Sequence, residues 1–152
     1  MKFQEVSKFN DIKLNNVCIY IYDISKCKIL TVNEKNNKLG VPAGKLLKNE
    51  ICWNGIKREF KEETGRNIPV INIIKRYIIN HHDKNKTGMY IATIKCDVND
   101  YKNWKTKEIL KVEYKNIKEI KRSKMRNSMK KSFPYVENVI ENDIKIKDCI
   151  VS

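Results

Sequence analysis

The sequence predicts an α/β protein of the α+β type, a helix–sheet–helix sandwich around a mixed β-sheet, and three observations carry that expectation. Short apolar, β-branched runs such as VCIYIYD, Val17 to Asp23, recur along the chain and read as buried strands. From Ile51 to about Thr64 the pattern turns helical and is closed by Gly65, as a C-cap closes a helix. A second helical pattern, PYVENVIEN from Pro134 to Asn142, follows late in the chain. Strands with one helix in the middle and one at the end cover both sheet faces as a layered sandwich.

The elements between are read in the same way. KILTV, after Cys27, reads as the neighbour of VCIYIYD across a polar turn; NEKNNKLG reads as loop and VPAGK as a turn held by Pro42 and Gly44. VINIIKRYII and GMYIATIKCDV read as two strands around NHHDKNKTG. EILKVEYKNIKEI, Glu108 to Ile120, begins as a strand and passes into a turn or short helix. KRSKMRNSMKK, Lys121 to Lys131, reads as a basic stretch with no apolar face to bury. In the last helix Pro134 belongs to the first turn, with Tyr135, Val136, Val139 and Ile140 along one side. At 152 residues without repeats, one domain over 1–152 is expected, its core at about 17–140.

Composition narrows the function classes. Apolar residues at 41% and charged residues at 33% suit a globular chain, and no apolar run nears the ~20 residues of a membrane span. The start, MKFQEVSKFNDIK, lacks the apolar core of a secretory signal, so the expected location is cytoplasmic, with Lys121 to Lys131 as an alternative nuclear address. Five scattered cysteines without a C-x-x-C pair read as reduced thiols, and His81 and His82 as loop residues rather than zinc ligands. A net charge of +14 attracts phosphate-rich partners. Most of the basic residues are Lys, however, and the chain is rich in Ile and Asn, so coding bias accounts for part of that charge.

Against this basic background REFKEETG, Arg58 to Gly65, gathers Glu59, Glu62 and Glu63. At 100° per residue they share about a third of the helix circumference, with Trp53, Ile56 and Phe60 adjacent and Lys57 and Lys61 opposite. Like charges one turn apart, near the negative end of the helix dipole, disfavour one another. A divalent cation is the simplest compensator, and an all-oxygen donor set selects Mg²⁺ or Mn²⁺. For an isolated E-x-x-E-E the alternative is a solvated acidic edge.

The triplet is not isolated. Gly44 precedes Glu50 by five intervening residues and Glu50 precedes Arg58 by seven, giving GKLLKNEICWNGIKREFKEETG. This resembles the signature of the Nudix hydrolases, G-x5-E-x7-R-E-U-x-E-E-x-G-U, where U is a bulky apolar residue. Gly44, Glu50, Arg58, Glu59, Phe60, Glu62, Glu63 and Gly65 all fall in register. LGVPAGK resembles the family's entry turn and EILKVEY its late strand, so the likeness runs from about Val17 to Ile140. Leu39, Ala43 and Arg66 depart from the pattern, and Asn54 and Gly55 are poor helix formers, a mid-helix Gly costing about 1 kcal/mol against Ala.

The resemblance implies a metal-dependent pyrophosphohydrolase that cleaves a phosphoanhydride in a nucleoside diphosphate-linked substrate, with water as nucleophile. It assigns Glu59, Glu62, Glu63 and the Gly44 carbonyl to Mg²⁺ or Mn²⁺, makes Glu50, Arg58 and Gly65 structural, and leaves Lys45 and Arg58 facing the substrate phosphates. Glu50 is expected at the helix start, meeting free N–H groups. Glu108 is the candidate general base from outside the motif, the alternative being a surface carboxylate. The substrate stays open among small nucleotides, capped RNA, dinucleoside polyphosphates and diphosphoinositol polyphosphates. The basic surface favours the anionic ones, and Tyr101, Trp104, Tyr114 and Tyr135 are either base-stacking or core aromatics. Family members are often dimers, which allows a homodimer here. A non-catalytic nucleotide or RNA module is the reading from another class.

Overall fold

Buried polar groups and a sheet clothed on both faces organise the molecule. The computed structural model describes residues 1–10, 12–102 and 104–144. Strands β1 (Lys2–Val6), β2 (Asn16–Asp23), β3 (Lys28–Glu34), β4 (Leu39–Gly40), β5 (Ala43–Lys45), β6 (Asn72–Asn80), β7 (Lys86–Ile94) and β8 (Ile109–Lys115) form a mixed sheet. Helices α1 (Cys52–Thr64), α2 (Ile117–Arg122) and α3 (Asn127–Asp143) accompany it. The strand order is β1-β6-β7-β2-β3-β4, with β5 added to β2 and β8 to β3. The β2–β7 pair is parallel and the others are antiparallel.

Alternation along β2 explains its unbroken apolar run. Val17, Ile19 and Ile21 pack with Ile56 and Phe60 of α1, whereas Tyr20 and Tyr22 pack with Phe133, Val136 and Ile140 of α3. A strand covered on both sides needs apolar residues at both parities. Strands β2 and β3 pair at Tyr22–Ile29 and Asp23–Lys28, beside their turn, and β5 pairs with the other end of β2 at Asn16 to Cys18. That exchange of neighbours lays Ala43 and Gly44 between β2 and α1.

Several expectations meet corrections. VPAGK is not only a turn, since Ala43–Lys45 is strand β5, and NEKNNKLG ends in the short strand β4. Strand β1 carries too few apolar residues to announce itself and is held by pairing with β6. Lys121 to Lys131 does have a buried side: α3 begins at Asn127, Met129 is 2% exposed, and Pro134 lies inside the helix rather than in its first turn. Met125 bridges to Leu39, which anchors this segment across β4. Glycine at position 55 has a packing reason, because a Cβ there would come 2.1 Å from Leu46 Cδ2. Cys18, Cys52 and Cys96 are free, but Cys27 is disulfide-bonded, contrary to the expectation of reduced thiols. Cys149 lies outside the described residues.

The aromatic side chains divide. Tyr101 and Tyr114 each donate a hydroxyl hydrogen bond of 2.6 Å to the buried Asp97 carboxylate, so both serve packing and not base stacking. Tyr135 stacks on Phe3 with centroids 4.0 Å apart, and Trp104 lies against Gly65. His81 bonds Thr87 and His82 bonds the N-terminal amine, both at 2.8 Å. Among the described residues no helix is long and apolar enough to cross a membrane. Because Met129 seats the start of α3, Met129→Ala is expected to cost about 2–5 kcal/mol, read from urea unfolding at unchanged m-value.

Candidate active site

Arg58 is the hub of the motif. Its Nε donates to Glu50 Oε2 and its Nη2 to Glu50 Oε1, both at 2.9 Å. Nη2 also donates to the Lys45 carbonyl at 2.9 Å, and Nη1 to Glu59 Oε1 at 2.8 Å and Glu62 Oε1 at 3.4 Å. All of the guanidinium's donors thus meet protein oxygens, which corrects the expectation that Arg58 faces the substrate. It also supplies a cation for the acidic edge that the sequence reading, with its attention on Lys57 and Lys61, did not find.

Glu50 does not cap α1. Its Oε1 accepts from Leu47 N–H at 3.0 Å, in the loop before the helix, and the helix starts at Ile51 without a side-chain cap. The bidentate Arg58 fork, then the Leu47 N–H, hold its carboxyl down to about 2. The pair ties loop 46–51 to the second turn of α1 and thereby fixes β5 against the helix. At the far end Gly65 closes α1 in the left-handed conformation, φ 76°, with its N–H on Lys61 O at 2.9 Å.

The carboxylates then arrange around Ala43 and Gly44. Glu63 Oε1 accepts from Ala43 N–H at 2.7 Å. Glu59 lies directly on Gly44, where a Cβ would be 2.1 Å from its carboxyl carbon, so a larger residue at 44 would drive the carboxylate away. Burial pushes Glu63 up to about 7, with the Glu59 and Glu34 charges adding to it and the Ala43 N–H and Arg126 opposing. Burial also raises Glu59, against the pull of its hydrogen bond to Arg58. Glu62 is 58% exposed at the outer edge.

Two desolvated carboxylates with raised pKa, against the Ala43–Gly44 backbone and beside an exposed third, make an all-oxygen donor set. It suits a hard divalent cation. Among the described residues no three acidic, His or Cys side chains already converge as a cage.

A cleft of about 340 Å³ opens beside Gly44, between β2 and the start of α3. Its wall includes Lys45, Arg126, Ser128 and Ser132, and the Tyr20 hydroxyl meets Ser132 Oγ at 2.6 Å on its floor. Arg126 packs on Gly40, and its Nη1 pairs with Glu34 Oε1 at 3.0 Å. Sequence reasoning did not find Glu34, and it read Arg126 only as part of the basic surface that favours anionic substrates. Glu34 is a polar residue at a strand end and Arg126 one cation in a basic run, so only their spatial meeting marks them. Glu108 is exposed at the foot of β8 and outside the cleft wall. Its engaged groups are backbone, the carbonyl accepting from Lys35 N–H at 3.0 Å. The register, with Glu34 opposite Ile109 after a bulge, turns Glu34 toward the motif instead.

Comparison with known proteins identifies the family. The NUDIX domain model matches residues 13–136, and the chain belongs to the Nudix hydrolase family. It is a hydrolase acting on pyrophosphate bonds. No curated protein matches it. Among solved structures it resembles a Nudix hydrolase from Nitrosomonas europaea at 23% identity, covering 85% of this chain and 87% of that one, with a TM-score of 0.57. A mutant form of the Bacillus subtilis pyrophosphohydrolase BsRppH is similar at 18% identity, with coverage of 91% and 89% and a TM-score of 0.62. The NUDIX domain of Shewanella oneidensis NrtR, complexed with ADP ribose, is similar at 16% identity, with coverage of 90% and 92% and a TM-score of 0.60. These likenesses carry the fold.

Two outcomes are expected. Arg58→Ala leaves Glu50 and Glu59 without their partner and should destabilise the protein by roughly 1–3 kcal/mol in chemical denaturation. Folded, metal-free protein retains the Glu63 proton up to about pH 7, whereas an unfolded glutamate releases it near 4.5. Between those values the folded state binds more protons, so metal-free stability should fall as pH rises. Glu63→Gln keeps the acceptor for Ala43 N–H and should remove that fall. Thermal melts at pH 5 and pH 8 should show the variant gaining on the order of 1–2 kcal/mol over the parent at the higher pH only.

Proposed function

We propose that this chain is a single-domain, divalent-metal-dependent pyrophosphohydrolase that cleaves a phosphoanhydride bond in a nucleoside diphosphate-linked substrate, a small nucleotide or a capped RNA. The observation that carries the reading is the pair Glu59 and Glu63, one turn apart on α1 and both with raised pKa, Glu63 bonded to Ala43 N–H and Glu59 lying against Gly44, while Ala43 and Gly44 themselves line the cleft. Glu59, Glu62, Glu63 and the Gly44 carbonyl would hold Mg²⁺ or Mn²⁺. That ion supplies phosphate charge neutralisation and lowers the pKa of a water.

The chain's own residues do the rest. Arg58 and Glu50 hold loop 46–51 against α1 so that the Gly44 backbone and the Glu59 carboxylate stay in contact. Lys45, exposed at the cleft, offers a mobile point charge to the phosphates. Glu63, bonded to the Ala43 N–H, fixes the β5 backbone against α1 beside the ligands. Glu108 has no such position, and a box carboxylate is the better candidate for general base.

The test combines metal binding and turnover. About 1 mM Mn²⁺ should raise the melting temperature of the parent at pH 8 and leave Glu59→Gln unmoved. Glu62→Gln should lower kcat by at least about 100-fold on nucleoside triphosphates, ADP-ribose and capped RNA assayed side by side. Turnover that survives both substitutions, or that needs no divalent ion, sinks the reading.

A further inference from the structure

On the side of β5 away from the start of α3 lies a second, larger depression. Residues 8–10 and 12–15 on one side and loop 46–51 on the other form its walls, and Trp53, Arg76 and Tyr90 form its floor. We propose that this groove binds a single-stranded oligonucleotide whose 5′ polyphosphate is presented to the carboxylates of α1. The inference rests on the proposed pyrophosphohydrolase reading and names the substrate class: a strand carrying a 5′ polyphosphate, in preference to a free mononucleotide.

Size comes first. The groove encloses about 1190 Å³, against about 340 Å³ for the cleft beside Gly44. Pockets for small ligands run to roughly 300–1,000 Å³, so a mononucleotide would leave most of the combined space empty. Asn16 and Lys45 line both depressions, so a chain with its first phosphates at Gly44 can continue past Lys45 into the groove.

Charge selects a polyanion. Lys8, Lys13, Lys45, Lys48 and Arg76 line the groove, and Glu50 is the one acid among its described lining residues. Glu50 is already held by Arg58. None of those four lysines forms an ion pair among the described residues, as holds for most lysines of this surface; what sets the groove apart is that its four lysines and Arg76 face a single, already engaged acid. Unpaired lysines along one path are the electrostatic track that a phosphodiester backbone follows.

Aromatic placement argues for bases along that track. Phe9 and Trp53 meet Tyr90 edge to face, at 5.1 and 5.5 Å between centroids, and each is only partly buried where it lines the groove. Arg76 lies over the Tyr90 ring at 5.9 Å. Leu47 and Ile51 are 60% and 68% exposed beside them, an apolar rim that the described residues leave largely uncovered. Cations interleaved with aromatic rings suit unpaired bases, whose faces stack without sequence preference; a base-paired duplex hides those faces.

The experiment uses the full chain with Mn²⁺ and a length series of 5′-triphosphate oligonucleotides, ribose and deoxyribose, from one nucleotide to about eight. Binding of the matching 5′-hydroxyl strands is followed by fluorescence anisotropy. We expect kcat/KM to rise at least about 10-fold from the mononucleotide to the longer strands. We expect Lys13→Ala/Lys48→Ala to abolish that gain, to weaken 5′-hydroxyl strand binding, and to flatten its log–log salt dependence by a slope of about 1–2. Turnover of a nucleoside triphosphate should be unchanged in that variant. If kcat/KM is flat with length while nucleoside triphosphates are hydrolysed, the groove proposal is overturned and the pyrophosphohydrolase stands. If no polyphosphate of any length is hydrolysed although the 5′-hydroxyl strands bind and the lysine variant weakens them, the enzymatic reading fails, and with it the presentation of a 5′ end. The ribose and deoxyribose arms identify which strand is preferred.

Discussion

The five-donor guanidinium of Arg58 is the interaction on which the rest of the site depends. It is three-quarters buried, and it joins the Lys45 carbonyl of β5, the Glu50 carboxylate of the following loop and the Glu59 and Glu62 carboxylates of its own helix. A planar fork can satisfy that many oxygens at fixed angles, which a lysine ammonium could not. The same contacts that fix the loop also hold apart like charges that would otherwise repel. Structure and charge balance are therefore a single arrangement here.

The second constraint is the replacement of β3 by β5 as the neighbour of β2. Because β2 and β3 are paired only near their turn, the other end of β2 is free to take the short strand β5. One short strand then carries two duties. On one side Gly44 opens onto the cleft by α3, and on the other Lys45 leads to the basic groove walled by residues 8–10 and 12–15 and by loop 46–51. The family resemblance accounts for the first, whereas the second comes from the Lys-rich loops of this particular chain.

Raised pKa values at Glu59 and Glu63 have the same origin as the fold's stability. Helix α1 must bury Ile56 and Phe60 against the sheet, and the carboxylates on the next arc are carried toward the protein with them. Desolvation makes these groups poor ions without a cation and good ligands with one.

Much was legible in sequence. The period-two and helical patterns located β2, β3, β6, β7, β8 and α1, since each is bounded by turn residues and buries a continuous face. The gapped motif picked out Gly44, Glu50, Arg58, Glu59, Glu62, Glu63 and Gly65 because spacing along one loop and one helix is a local property. Elements that depend on a distant partner were not legible: β1 needs β6, β5 needs β2, and the start of α3 needs Leu39 and the sheet beneath Met129. The same holds for side chains. Sequence alone determined which residues could carry charge, and tertiary structure decided where it went. It sent Arg58 inward to protein oxygens, left Glu108 outside, brought Glu34 and Arg126 to the motif, and gathered scattered lysines along one groove. Coulombic and hydrogen-bond energies depend on distances in space, which chain order specifies only within a turn or two.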